Sequence, residues 1–163
     1  VLLFYRLVLV PSLHRQGLAA SVLPTLAGPY NRLLWLSWTL LLGAAVAALL
    51  IQTSLANGGG LLATFGKLPS MLLDTRYGLV WLARLGLLLA LALALRWLQR
   101  PGLTWLVIGL AGLVMVTSTL NSHSAAVPSQ PVLAITAHWL HFLAVSVWVG
   151  GLFTFVLLAT VDG

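Results

Sequence analysis

Long runs of apolar residues, each long enough to cross a bilayer, dominate the hydropathy pattern of the chain. A membrane-spanning helix needs roughly 20 mostly apolar residues. Four runs meet this requirement, and they cover residues 33–55, 78–98, 103–120 and 132–160. We therefore predict an all-α polytopic transmembrane helix bundle, with four full spans in a single module over residues 1–163.

Shorter segments precede and separate these spans. Residues 1–10 are apolar but too short to cross a bilayer, so we interpret them as the tail of a further helix that starts outside this chain. Residues 11–32 are predicted to form a loop. Residues 57–77 are predicted to connect the first two spans, with a glycine run that ends a helix and a break at Leu68-Pro69.

Composition excludes several classes of protein. Apolar residues make up 61% of the chain and charged residues only 6%, whereas soluble domains are about 25% charged. A water-soluble globule and a disordered chain are both excluded. The absence of cysteine excludes disulfides, iron–sulfur clusters and thiol nucleophiles. With only two acidic residues, acid–base hydrolysis has almost no candidates, and we predict that the protein is not an enzyme.

The net charge of the chain is +6, and the positions of its basic residues indicate how the chain is oriented in the membrane. Lys67 and Arg76 lie on one side of the predicted membrane, and five arginines lie on the other, namely Arg6, Arg15, Arg32, Arg96 and Arg100. The positive-inside rule makes the second side cytoplasmic, so the N-terminal loop and the connection 96–102 face the cytoplasm. The partner implied by these cations is the lipid bilayer, and nucleic acid is excluded.

Three of the four histidines fall on the opposite, outer side. His123 lies in the Ser- and Pro-rich connection after the third span, and His138 and His141 lie near the start of the fourth. The spacing i, i+3 places the last two about 60° apart on one helix face. Neutral imidazole is a good ligand for copper, zinc, nickel and iron. We predict a metal site of His123, His138 and His141, although an interfacial histidine can also simply keep its polar tip in water.

A thioether is the natural additional ligand for a soft, monovalent ion such as Cu(I), which needs little compensating negative charge. Met71, in the outer connection, is the predicted candidate. Met115 is the weaker one, because it lies roughly 12 Å before His123 along a helix. His14 is predicted to be a solvated residue of the cytoplasmic loop.

Four further residues stand out within the spans. Arg84 lies about two turns inside the second span, where it either extends to the outer interface or orders the bundle as a buried cation. Trp148, Gly150 and Gly151 follow the histidine pair, and we interpret them as residues of tight helix packing, because glycines allow helices to approach closely.

Three segments of the chain, which form two signatures, resemble the copper-resistance CopD family. The segment LLDTRYGLVWLARLGLLLALAL resembles the outer step of that family and the WLxRL helix that follows it. The segments TSTLNSHSAA and AHWLHFLAVSVWVGGL resemble its second signature, a Ser-His loop followed by a helix with His and Trp-x-Gly-Gly. The resemblance runs from about Arg32 to Leu158.

This resemblance implies a polytopic protein of the bacterial inner membrane that moves copper across the membrane or handles it beside a periplasmic copper-binding partner of the CopC type. His123, His138 and His141 would be the copper-related positions. Two alternatives stay open. One is an electron-transfer subunit in which His138 or His141 is an axial ligand of haem b. The other is an accessory structural subunit of a larger membrane complex.

Overall fold

The computed structural model describes residues 1–58, 60–98, 100, 102–121 and 130–161, and it is 90% helical. Helix α1 comprises three consecutive segments, Leu2–Phe4, a π-wound turn Tyr5–Leu9, and Val10–Arg15. The five helices that follow are α2 (Ala19–Asn57), α3 (Leu61–Leu73), α4 (Arg76–Arg96), α5 (Leu103–Leu120) and α6 (Pro131–Val161). No strand occurs among the described residues.

Four helices, α2, α4, α5 and α6, are long and apolar enough to cross a membrane. This confirms the predicted all-α bundle, and the ends of α4, α5 and α6 agree with the predicted spans to within about two residues. The chain passes back and forth, so the helix ends gather in two groups. We call the group with Asn57, Arg76, Leu120 and Pro131 the histidine end, and the group with Ala19, Arg96, Leu103 and Val161 the arginine end.

The start of α2 differs from the prediction. Residues 11–32 were predicted to be a loop, but the structure has helix from Val10 to Arg15 and again from Ala19 onwards. Pro24 and Pro29 lie inside α2. The reason is tertiary packing. Leu26 is buried in a cluster with residues of α1, and this burial compensates for the stability lost with the backbone hydrogen bonds that the prolines cannot make. The 39-residue helix is about 58 Å long and extends beyond a hydrocarbon core of about 30 Å.

Helix α1 is wound irregularly for a local reason. Pro11 has no backbone N–H to donate to the carbonyl of Leu7, and its ring crowds that carbonyl. The π-wound turn Tyr5–Leu9 lies directly before it, where a proline displaces the regular hydrogen-bond ladder. The helix ends where Gly17 adopts a positive φ of 73° and Leu18 N–H donates to the Leu13 carbonyl at 3.0 Å.

The bundle interior is built in layers along α2, α4 and α5. Ala45, Leu88 and Val114 form the middle layer, and each comes from a different helix. Two tryptophans fasten α2 to α4 across this interior. Trp38 Nε1 donates to the Leu88 carbonyl at 2.9 Å, and Trp81 Nε1 donates to the Ala45 carbonyl at 2.8 Å. Each bond satisfies an indole N–H that has no water available in hydrocarbon.

Helix α3 is a short amphipathic helix folded against the histidine end of the bundle. The predicted break at Leu68-Pro69 is wrong, because Pro69 lies within α3. Leu68, Met71 and Leu72 lie on one helix face and pack against Leu49 and Trp81, and this burial stabilises the turn that Pro69 weakens. The predicted helix end at the glycine run is confirmed, since Gly58 caps α2 with a positive φ of 59°.

Candidate functional site

The histidine pair lies near the beginning of α6, at the histidine end of the bundle. The rings of His138 and His141 both lie close to Phe142, with centroid separations of 4.4 Å and 6.5 Å from that ring. His138 is half-buried and His141 is exposed. Both imidazoles therefore lie near the same aromatic ring of α6.

The helix that carries the pair is fixed to its neighbour by the residue next to His138. Trp139 Nε1 donates to the Gly112 carbonyl of α5 at 3.1 Å. The indole ring points toward α5, and the adjacent His138 is turned by about 100° around the helix axis. This hydrogen bond therefore links α6 to α5 at the turn that carries the histidines.

The other predicted ligands are distributed differently. His123 lies in segment 122–129, outside the described residues. Met71 is buried with Leu49 and Trp81, and its Sδ is 3.9 Å from Thr75 Oγ1. Its helix, α3, packs against α2 and α4, whereas α6 packs against α5, α2 and α1. Within the described part of the chain, no group of three or more His, Cys, Asp and Glu residues is placed to hold a metal ion.

An apolar cavity of about 240 Å³ lies deeper in the bundle, between α1, α2, α4, α5 and α6. The side chains of Ser37, Met115 and Ser146 are among those that line it, and they offer hydroxyl and thioether groups. Ser146 Oγ lies 4.0 Å from Met115 Sδ, so this thioether is at the contact between α5 and α6. Ser146 lies about 7.5 Å beyond His141 along α6. The sequence made Met115 the weaker candidate ligand, because residue spacing within α5 does not reveal which helix packs against it.

Arg84 makes a hydrogen bond between two spanning helices. Its Nε donates to Thr117 Oγ1 of α5 at 2.9 Å, and Thr117 Oγ1 donates in turn to the Val114 carbonyl at 2.6 Å. A nearby bond from Asn121 Nδ2 to the Tyr77 carbonyl, at 3.4 Å, joins the same two helices. Of the two interpretations of Arg84, the one in which it orders the bundle describes a contact of this kind between two helices.

The three small and aromatic residues after the histidine pair have different environments. A Cβ on Gly151 would lie 3.0 Å from the Phe4 ring, and one on Gly150 would meet the backbone of Val1, so both glycines lie where α1 approaches α6. Trp148 is 69% exposed, so the predicted tight packing is wrong for this residue. It points away from the helices that α6 contacts, because it lies on the opposite face from Ser146 and Gly150.

His14 lies near the end of α1, at the arginine end of the bundle. Its side chain is exposed, and Nδ1 is 2.8 Å from the Val10 carbonyl oxygen. It is therefore separate from the histidine pair of α6.

Comparison with known proteins identifies a family for most of the chain. Residues 2–130 match the family described as copper resistance protein D-like, N-terminal domain. The match covers α1 to α5 and includes His123, Met71 and Arg84, whereas α6 with His138 and His141 follows it. No curated protein and no solved structure matches the chain.

Proposed function

Since the chain belongs to the copper resistance protein D-like family, we propose that this bundle binds copper at its histidine end and passes the ion into the membrane. Copper is the cargo in this proposal. The observation that carries it is the position of His138 and His141, which flank Phe142 on the helix whose deeper turns line the cavity at Met115. His123 is the third proposed ligand.

The chemistry of the histidine end favours a soft, monovalent ion. Two imidazoles supply neutral nitrogen ligands, which suit copper. The chain has only two acidic residues, and Asp74, which follows α3, is the acidic residue that the structure describes. A Cu(I) ion brings one positive charge into this setting, whereas a divalent ion would bring two with little to balance them.

Met115 is the proposed next contact for the ion inside the bundle. Thioether sulfur is a soft ligand that binds Cu(I), and it carries no charge that would be costly in an apolar cavity. The sulfur lies on the wall of this cavity beside Ser146. Met115 would therefore offer an uncharged, soft ligand to an ion that moves inward from the histidine end.

We expect Met115→Leu to lower the rate of copper movement about tenfold while leaving copper binding at the histidine end unchanged, because leucine preserves the volume and removes the sulfur. The measurement is Cu(I) uptake into proteoliposomes that contain a trapped Cu(I) indicator. Met71→Leu is the matched control, since Met71 is buried in the core and does not line the cavity. Equal uptake by the wild type and Met115→Leu would contradict this role.

The proposed function is tested first by metal analysis and absorption spectroscopy of the purified protein in nanodiscs. We expect the protein to retain Cu(I) against a competing chelator and to show no Soret band. A Soret band would favour the haem alternative. A colourless protein that retains no copper above an empty nanodisc would contradict copper binding and would favour a structural role.

We further propose that the histidine end faces the periplasm and the arginine end the cytoplasm of the inner membrane. This orientation puts five arginines inside and places the histidines where a periplasmic copper-binding partner of the CopC type can reach them. With this orientation, copper would enter the bundle from the periplasmic face.

Thiol labelling tests this orientation cleanly, because the chain has no cysteine of its own. Gln16 and Gln130 are exposed residues at the two ends of the bundle. We expect a membrane-impermeant maleimide to label Gln130→Cys in intact spheroplasts and Gln16→Cys only after lysis. The reverse pattern would overturn the proposed orientation.

A further inference from the structure

A second cavity, of about 460 Å³, lies at the arginine end of the bundle between α1, α2, α4 and α5. Its wall is much more polar than that of the cavity at Met115. The polar side chains that line it are Tyr5, Arg6, Tyr30, Asn31, Arg96 and Thr104. None of these residues belongs to the proposed copper path.

Two guanidinium groups line this cavity without a carboxylate among the described residues. Arg6 Nη2 donates to Thr104 Oγ1 at 3.3 Å, which uses one of the five N–H donors of the group. Arg96 is exposed, and it makes no side-chain hydrogen bond or ion pair with the described residues. Of the two acidic residues, Asp74 lies at the histidine end and Asp162 lies outside the described residues.

The backbone adds to the positive potential of this cavity. Thr104 is the second residue of α5, and Gly102 caps that helix without a side-chain hydrogen bond. The N-terminus of a helix carries about half a positive charge and favours anions. Two arginines and the first turn of α5 therefore line one cavity, and a bound anion would supply the negative charge that its described walls lack.

The remaining walls indicate that the anion belongs to a lipid. Leu2, Leu34, Trp35 and Leu98 line the same cavity. An inorganic anion would make no favourable contact with these apolar walls. A phospholipid would place its phosphate beside the arginines and its glycerol and upper acyl groups beside leucine and tryptophan. We propose that this cavity binds the phosphodiester headgroup of an anionic phospholipid, with Arg6 and Arg96 as the recognition residues.

The proposal is tested by quantifying co-purified lipid with native mass spectrometry and phosphorus analysis. The full chain is placed in nanodiscs of equimolar phosphatidylglycerol and phosphatidylcholine. We expect selective retention of phosphatidylglycerol by the wild type, with about a fivefold loss for each of Arg6→Gln and Arg96→Gln and a larger loss for the double variant Arg6→Gln/Arg96→Gln. Fivefold corresponds to about 1 kcal/mol for one cation near the membrane surface. Arg15→Gln with Arg100→Gln is the matched control, since these residues lie at the same end but do not line the cavity.

Three results would overturn the proposal. Equal loss in both double variants would mean that surface charge alone retains the lipid. Unchanged retention in Arg6→Gln/Arg96→Gln would mean that the cavity does not bind it. Saturable binding of inorganic phosphate in pure phosphatidylcholine nanodiscs, without selective lipid retention, would identify free phosphate as the ligand. A thermal melt of each variant separates these results from misfolding.

Discussion

Replacing His138 and His141 together with alanine should lower the affinity for Cu(I) by about 100-fold or more. Losing even an outer-shell partner of a metal ligand typically costs 10–100-fold in affinity, and this double variant removes two direct ligands. The measurement is competition against a Cu(I) chelator with the protein in nanodiscs. His141 is exposed and His138 is only half-buried, so we expect the fold to survive the change.

The matched control for this prediction is His14→Ala. His14 is also an exposed helical histidine, but it lies at the arginine end. We expect its replacement to leave copper affinity unchanged. Phe142→Leu is expected to have an intermediate effect, because it removes the ring that both histidines contact while leaving both imidazoles in place. Equal affinity in the wild type and the double variant would show that copper binds elsewhere.

Replacing Gly78 with alanine should destabilise the bundle by about 2 kcal/mol or more. A Cβ at this position would overlap the Met71 carbonyl oxygen and would lie 2.5 Å from the Cα and the carbonyl oxygen of Leu72. All of these are backbone atoms, so they can move only if α3 moves away from α4. That shift would also loosen Thr75, whose Oγ1 donates to the Met71 carbonyl at 2.6 Å and accepts from Gly78 N–H at 2.9 Å.

Gly86→Ala on the same helix is the matched control. Nothing lies within 4 Å of a Cβ built at Gly86, and the residue is exposed. Alanine is more favourable than glycine in a helix by up to about 1 kcal/mol, so this variant should be neutral or slightly more stable. Thermal unfolding in one detergent compares the two. Equal stability of both variants would contradict the close contact between α3 and α4.

The spans could be predicted from hydropathy because lipid requires an uninterrupted apolar helix of a fixed minimum length. The extent of α2 could not. Pro24, Pro29 and Arg32 interrupt the apolar pattern before the first predicted span, and the contacts of Leu26 with α1 that support the helix come from distant parts of the chain. The helical conformation at Pro69 could not be predicted for the same reason, since α3 depends on packing against Leu49 and Trp81.

Local spacing also decided how much of the candidate site could be predicted. The shared face of His138 and His141 follows from the helical repeat alone. The choice between Met71 and Met115 does not, because it depends on which helix packs against α6. The interior roles of Trp38, Trp81 and Trp139 were missed as well, since a tryptophan near a span end is typical of the membrane interface, whereas these three donate to carbonyls of neighbouring helices.

X-ray absorption at the copper K-edge tests the central claim most directly, because it identifies the atoms bound to the ion. For the wild-type protein loaded with one equivalent of Cu(I), we predict the multiple-scattering pattern of imidazole. In the His138→Ala/His141→Ala variant loaded in the same way, that pattern should be lost or strongly reduced, while His14→Ala retains it. The same imidazole pattern in the wild type and the double variant would contradict the account.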